Sequence, residues 1–273
     1  MGRLYSCSSI PQQEISTMTI ALDALTDAYH RDGFVTRLDL FTPEEMNGFR
    51  ASFDELEARE GPEKCAIGLQ GRHIDEEFIW QMAADPRVVD AVSACMGDDV
   101  MLLSTHFFCK YPDPDNKKYV AWHQDITYWG LEPPEAHTAW IAVDDADVEN
   151  GCMEVIPGSH RDGIATHGTS ETTDNLLSIH QEISDDLVDT SKAVPIELTA
   201  GQTSIHNGQL FQASRPNRSD RRRCGLTVRF IPPQARQVEE NSLGHQWRPV
   251  LMRGEDRHKH YPETAIPFPI PGS

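Results

Sequence analysis

The run Trp122-His123-Gln124-Asp125 decides how the rest of this chain is read. On a strand, residues two apart point to the same face, so His123 and Asp125 present an imidazole nitrogen and a carboxylate oxygen side by side. That donor pair suits a divalent metal such as Fe(II). A His-x-Asp arises readily by chance, so its neighbourhood and a second segment give it meaning. The second segment runs Gly201-Gln202-Thr203-Ser204-Ile205-His206-Asn207-Gly208, then Leu210-Phe211-Gln212-Ala213-Ser214. It continues through Pro216-Asn217-Arg218-Ser219 to Arg221-Arg222-Arg223.

Working outward, the chain has 273 residues, 38% of them hydrophobic, enough for a sizeable buried core. Its formal net charge is −19 and its pI is near 4.9. Such a surface repels phosphate backbones and anionic lipid, which argues against nucleic-acid or membrane partners. Neither property limits a small-molecule substrate, because a pocket carries its own local charge. The six cysteines (Cys7, Cys65, Cys95, Cys109, Cys152 and Cys224) contain no CxxC pair. They read as scattered thiols of a reducing, cytoplasmic setting. No run reaches membrane-spanning length. Residues 1–17 are polar and lack an apolar signal core. They read as a disordered extension ahead of one domain over 18–273.

The N-terminal third is patterned for helices. Leu22, Leu25, Ala28 and Tyr29 share one helical face over residues 20–32, and Gly33 is the natural stop before an extended Phe34-Val35. Thr42-Pro43-Glu44-Glu45 has the composition of a capping box with proline in the first turn. The stripe Met46, Phe49, Phe53 and Leu56 that follows reads as core. Asp85-Pro86 opens another helix, ending at Gly97. The polar stretch 57–77, with Arg72 and His73, reads as a loop near a pocket. From residue 100 short strands separated by turn residues take over, with 161–192 as loop and short helix and the tail from 240 irregular. The pattern predicts a mainly β fold, a sandwich or barrel braced by helices.

With both segments in view, the sequence resembles the phytanoyl-CoA dioxygenase family of Fe(II)/2-oxoglutarate oxygenases. The features that carry the resemblance occur in order. They are Trp-His-Gln-Asp, the Trp140 strand, Glu149-Asn150-Gly151-Cys152-Met153 leading into Ile156-Pro157-Gly158-Ser159-His160, and the Pro-Asn-Arg-Ser segment with its arginines. The likeness covers roughly residues 20–235.

The resemblance implies a double-stranded β-helix, the cupin-like jelly roll, with a metal at one open end. It implies Fe(II), 2-oxoglutarate as cosubstrate, dioxygen, and oxidation of a small-molecule metabolite, most simply by hydroxylation. His123 and Asp125 match the first two metal ligands. Where the family has its last ligand, a His, this chain has Gln212. Three readings of that departure stand: Gln212 binds through its amide oxygen; His206 swings in as ligand; or the protein binds metal or ligand without oxygenating it. Arg223 and Ser214 match the groups that hold the distal carboxylate of 2-oxoglutarate, with Arg222 as the adjacent alternative. Trp140 matches an aromatic beside the cosubstrate, and Lys110 a lysine near the pocket. Tyr128 and Trp129 are candidates for a substrate wall, facing an apolar group or a quaternary ammonium. The ligand carboxylate Asp125 disfavours halogenation, and His137, His160 and His167 lack ligand spacing.

Overall fold

The computed structural model describes residues 24–169, 172, 174–177, 180–238, 244 and 246–272, without the side chains of Tyr128 and Asp185. The extension expected over 1–17 lies outside the described residues, as do residues 20–23 of the expected first helix.

Five helices come early: α1 over residues 24–32, then α2 (Pro43–Glu60), α3 (Pro62–Ile67), α4 (Glu77–Ala83) and α5 (Pro86–Met96). Helix α2 starts where its capping residues require. Thr42 Oγ1 accepts from the Glu45 N–H at 3.2 Å, and Glu45 Oε2 accepts from the Thr42 N–H at 2.7 Å. Asp85 caps α5 by accepting from the Arg87 N–H at 2.9 Å. The expectation of a loop over 57–77 is corrected. This stretch holds the end of α2, all of α3, a 3₁₀ turn at Arg72–Ile74 and the start of α4. Arg72 stitches it together through Glu60, Asp75 and Glu76. These partners lie 3–12 residues away, so the polar composition that suggested a loop instead decorates short helices.

The strands, in chain order, are β1 (Phe34–Asp39), β2 (Val100–Lys110), β3 (Val120–His123), β4 (Leu131–Glu132), β5 (His137–Ala142), β6 (Met153–Val155) and β7 (His167–Thr169). They continue with β8 (Gln181–Ile183), β9 (Val194–Ile196), β10 (Gln202–Asn207), β11 (Gln212–Ser214), β12 (Arg223–Ile231), β13 (Arg236–Gln237) and β14 (Val250–Arg253). Six form one antiparallel sheet in the order β1-β10-β5-β12-β2-β14. Four form a smaller sheet in the order β3-β11-β6-β9. This is the jelly roll the sequence pointed to. The tail is not wholly irregular: β14 pairs with β2, and Trp80 Nε1 on α4 donates to Pro269 O at 3.1 Å.

Strand β12 shows how the sequence divides its two faces. Cys224, Leu226, Val228 and Phe230 pack into the main core with Tyr29, Phe53, Leu56 and Ile79 from the helices. The intervening Arg223, Thr227 and Arg229 line a cavity between the sheets. The period-2 alternation therefore gives one face to apolar packing, at about 1.5–3 kcal/mol per large side chain, and the other to chemistry.

Candidate metal and cosubstrate site

Strand β3 ends at His123, and Asp125 opens a 3₁₀ turn (Asp125–Tyr128) instead of continuing the strand. The bend still leaves the pair together, with His123 Nε2 3.4 Å from Asp125 Oδ1. His123 Nδ1 sits 2.8 Å from the Ala121 carbonyl and donates to it. That bond puts a hydrogen on Nδ1 and turns Nε2 toward Asp125, the side on which a metal would be held.

The other carboxylate oxygen of Asp125 faces a different set of groups. His206 Nε2 on β10 lies 3.7 Å from Oδ2, Arg229 Nε lies 4.0 Å from it, and Thr138 Oγ1 donates to it at 3.3 Å. Burial alone would raise the Asp125 carboxyl. His123, His206 and Arg229 outweigh burial and hold it well below the usual carboxylate range. His123 and His206 thus take opposite oxygens of one carboxylate. Among the described residues no three His, Cys, Asp or Glu side chains converge as a metal site.

Gln212 is directly opposite His123 in the β11–β3 register. It is buried, and its amide Nε2 has no hydrogen-bond partner. Gln212, His123, Asp125, His206, Ser214, Trp140 and Arg223 all line one cavity of about 50 Å³. Arg223 is 3% exposed, its Nε is unpartnered, and its guanidinium lies 5.4 Å from the Trp140 ring centroid. Arg222 turns to the opposite face, where it pairs with Asp144, Asp54 and Glu57. Lys110 Nζ donates to Ser214 Oγ at 2.6 Å and to the backbone beside it. Ser214 Oγ accepts that bond, which leaves its own hydrogen free to donate into the cavity. Burial and the neighbouring Arg223 pull the Lys110 ammonium well below its ordinary value.

Trp129 lies outside this inner cavity and lines an adjoining chamber of about 290 Å³. The two spaces share Phe108, Asp125, Leu177 and Arg229. The face of Trp129 is covered by the Arg229 guanidinium at 5.1 Å. A quaternary ammonium there would meet a fixed cation, so that form of the substrate-wall expectation is not supported. Of the three histidines without ligand spacing, His137 bonds Tyr29 and His167 accepts from the Gln124 N–H. Arg229, Thr138 and Phe108 escaped sequence reading. The one available signal was the even spacing of Arg229 from Arg223, which puts both on the inner face of β12.

The family model for "Phytanoyl-CoA dioxygenase (PhyH)" matches residues 29–225, more than half of the chain. The chain belongs to the phytanoyl-CoA dioxygenase family. Within that family, it is 31% identical to the phytanoyl-CoA dioxygenase domain-containing protein 1 homolog of Dictyostelium discoideum over 120 residues, 44% of this chain and 43% of that protein. It is 23% identical to a probable alpha-ketoglutarate-dependent hypophosphite dioxygenase of Stutzerimonas stutzeri over 61% of this chain and 57% of that one. The chain thus spans about half the length of these two curated relatives. Among solved structures, the non-heme monooxygenase ThoJ (apo) matches with a TM-score of 0.72 and 27% identity, covering 88% of this chain and 87% of ThoJ. CytC3 with Fe(II) and alpha-ketoglutarate matches with a TM-score of 0.64 and 21% identity, covering 88% of this chain and 92% of CytC3. That second likeness shows the shared fold. No helix among the described residues of this family member is long and apolar enough to cross a membrane.

Proposed function

We propose that this chain is a non-haem Fe(II)/2-oxoglutarate-dependent dioxygenase that oxidises a small-molecule metabolite, most simply by hydroxylation, with residues 18–273 as one oxygenase domain. The observation that carries the reading is the inner cavity itself. It gathers an imidazole nitrogen, a carboxylate and a carboxamide at one side and a guanidinium with an unpartnered Nε at the other. An unpaired buried polar group costs about 1–3 kcal/mol, so this lining suits a polar occupant. The donor set fits Fe(II), and the Arg223–Ser214 pair fits a dicarboxylate.

His123, Asp125 and Gln212 would hold the metal. His206 lies on the far oxygen of Asp125 and acts as its positioning partner, which favours Gln212 over His206 as the third corner. An amide oxygen is neutral, as imidazole is, but is a poorer ligand, so weaker iron binding follows. With Fe(II) and 2-oxoglutarate bound, the centre supplies the oxidation of substrate by dioxygen, with 2-oxoglutarate going to succinate and carbon dioxide. Arg223 pairs bidentately with the distal carboxylate while Ser214 donates to it. Trp140 bounds the cosubstrate and keeps water from the Arg223 face. Thr138 donates to Asp125 Oδ2, and His206 and Arg229, 3.7 and 4.0 Å from the same oxygen, favour its ionised form.

Anaerobic addition of Fe(II) and 2-oxoglutarate should give the weak visible charge-transfer band of the chelate, and air should then release succinate. Gln212→His should strengthen iron binding by roughly tenfold or more, the scale on which ligand-shell changes act. If neither signal appears at high iron in the native chain, and Gln212→His creates both, the chain is a non-catalytic jelly-roll relative. The presence of Gln212 where imidazole is usual is the observation favouring that second reading. Metal binding with no dependence on 2-oxoglutarate or Arg223 would instead mark a cupin-type isomerase.

A further inference from the structure

The chamber beside the proposed iron site has a charge pattern opposite to that of the whole chain. The chain carries a formal net charge of −19. Among the described residues lining the chamber, the basic groups are Arg229 and Arg248, and the sole carboxylate is Asp125. Under the oxygenase reading Asp125 is spent on the metal. Two histidines also line the chamber and do not add acidity. His73 is buried and shares a 3.0 Å hydrogen bond with Thr105, and His106 Nε2 donates to Ile67 O at 2.6 Å.

Arg229 has the features of a built recognition group. It projects from β12 on the same face as Arg223 and Thr227, one strand period beyond Thr227. Its side chain is 12% exposed, and its Nε has no hydrogen-bond partner. The guanidinium is laid over Trp129, whose carbonyl accepts from Trp247 Nε1 at 2.9 Å. Trp129 and Trp247 meet edge to face with ring centroids 6.4 Å apart. The result is a cation seated on an aromatic wall at the junction between the chamber and the inner cavity. Arg248 stands exposed at the outer end.

We propose that the primary substrate is a small organic anion whose carboxylate or phosphonate-type group pairs with Arg229 while its carbon skeleton lies against Trp129 and Trp247. A guanidinium fork matches two oxygens of either group, and a partly desolvated site strengthens the pairing. Arg248 raises the local concentration of anions at the mouth. The assignment rests on the oxygenase reading for the site's orientation, but its binding test does not.

The test is equilibrium binding by calorimetry to the full chain saturated with Zn(II), a redox-inert divalent ion that takes up Asp125 without turnover. The probes share one skeleton: hexanoate, hexylphosphonate, hexylammonium and hexanol. Hexanoate or hexylphosphonate should bind, and which of the two binds more tightly identifies the oxyanion. Hexylammonium and hexanol should bind at least tenfold more weakly. Arg229→Gln should weaken the anion at least tenfold, whereas Arg222→Ala, at a residue that faces away from both cavities, should leave it within twofold. Equal binding of hexylammonium and hexanoate by the native chain overturns the proposal and needs no variant. So does an anion lost in Arg223→Ala but kept in Arg229→Gln, which would place it at the cosubstrate arginine. Anion binding that depends on Arg229, in a chain that never releases succinate, would remove the oxygenase reading and leave this one standing.

Discussion

Two adjacent arginines face opposite sides of one sheet. Arg223 enters the cavity with its Nε unpartnered, whereas Arg222 is spent on Asp144, Asp54 and Glu57. Arg223→Ala should raise the half-saturating 2-oxoglutarate concentration about 100-fold. That corresponds to about 3 kcal/mol for a bidentate charged pair at 1.4 kcal/mol per decade. Arg222→Ala should leave that concentration unchanged and lower the melting temperature instead. A titration of succinate release against 2-oxoglutarate decides, and equal effects of the two substitutions would remove Arg223 from the cosubstrate site. At this scale the sequence was most legible where residues fall on short-range periods. His123 and Asp125 come together, and the alternation of Arg222 and Arg223 is what a strand dictates. Arg229 was illegible as a partner of Asp125 because that 4.0 Å proximity depends on how the two sheets face each other.

Strand β12 places its site residues only because Gly225 leaves room. A Cβ at Gly225 would fall within the indole of Trp140. Gly225→Ala should therefore push Trp140 into the cavity. An overpacking cost of about 1–3 kcal/mol and a higher half-saturating 2-oxoglutarate concentration should appear together. Thermal melts and the same titration check this, and a variant with both values unchanged would show that Trp140 does not bound the cosubstrate. The capping box of α2 and the strand alternation were readable because each is satisfied within a few residues. The helices inside 57–77 were not, since their residues are polar and α3 is only 6 residues long, below the length at which periodicity speaks. Strand β14 was missed for a related reason: its partner, β2, begins about 150 residues earlier along the sequence.

Across the whole molecule, acid should loosen the fold before it disables the carboxylates. Burial pushes His73 down to about 4 and His106 down to about 3. In the unfolded chain both take up a proton near the ordinary 6.5, so between 6.5 and about 4 the unfolded state binds more protons. Stability is therefore full above pH 6.5 and falls as pH drops toward 4, at up to roughly 1.4 kcal/mol per pH unit for each buried imidazole. Melting temperatures from pH 7 to 5 should decline, and His73→Gln should shallow the slope. An unchanged slope in that variant would show that His73 does not contribute. The larger lesson of scale is that a mainly β sandwich or barrel was legible from strand count and turn spacing and its jelly-roll form from the family resemblance, whereas the pocket's charge was not. Composition reports the acidic exterior, and only the fold reveals that the chamber is lined the other way.

The pairing of β14 with β2 has a consequence for the state of the chain in a crowded solution. Strand β2 is 11 residues long and nearly all buried. With β14 removed, the backbone edge at Val100, Met101 and Leu102 would be open to any strand that drifted past. Strand β14, which follows the chamber-lining Trp247 and Arg248, thus acts as a guard rail at that end of β2: it leaves less open edge for a second copy of the molecule to extend.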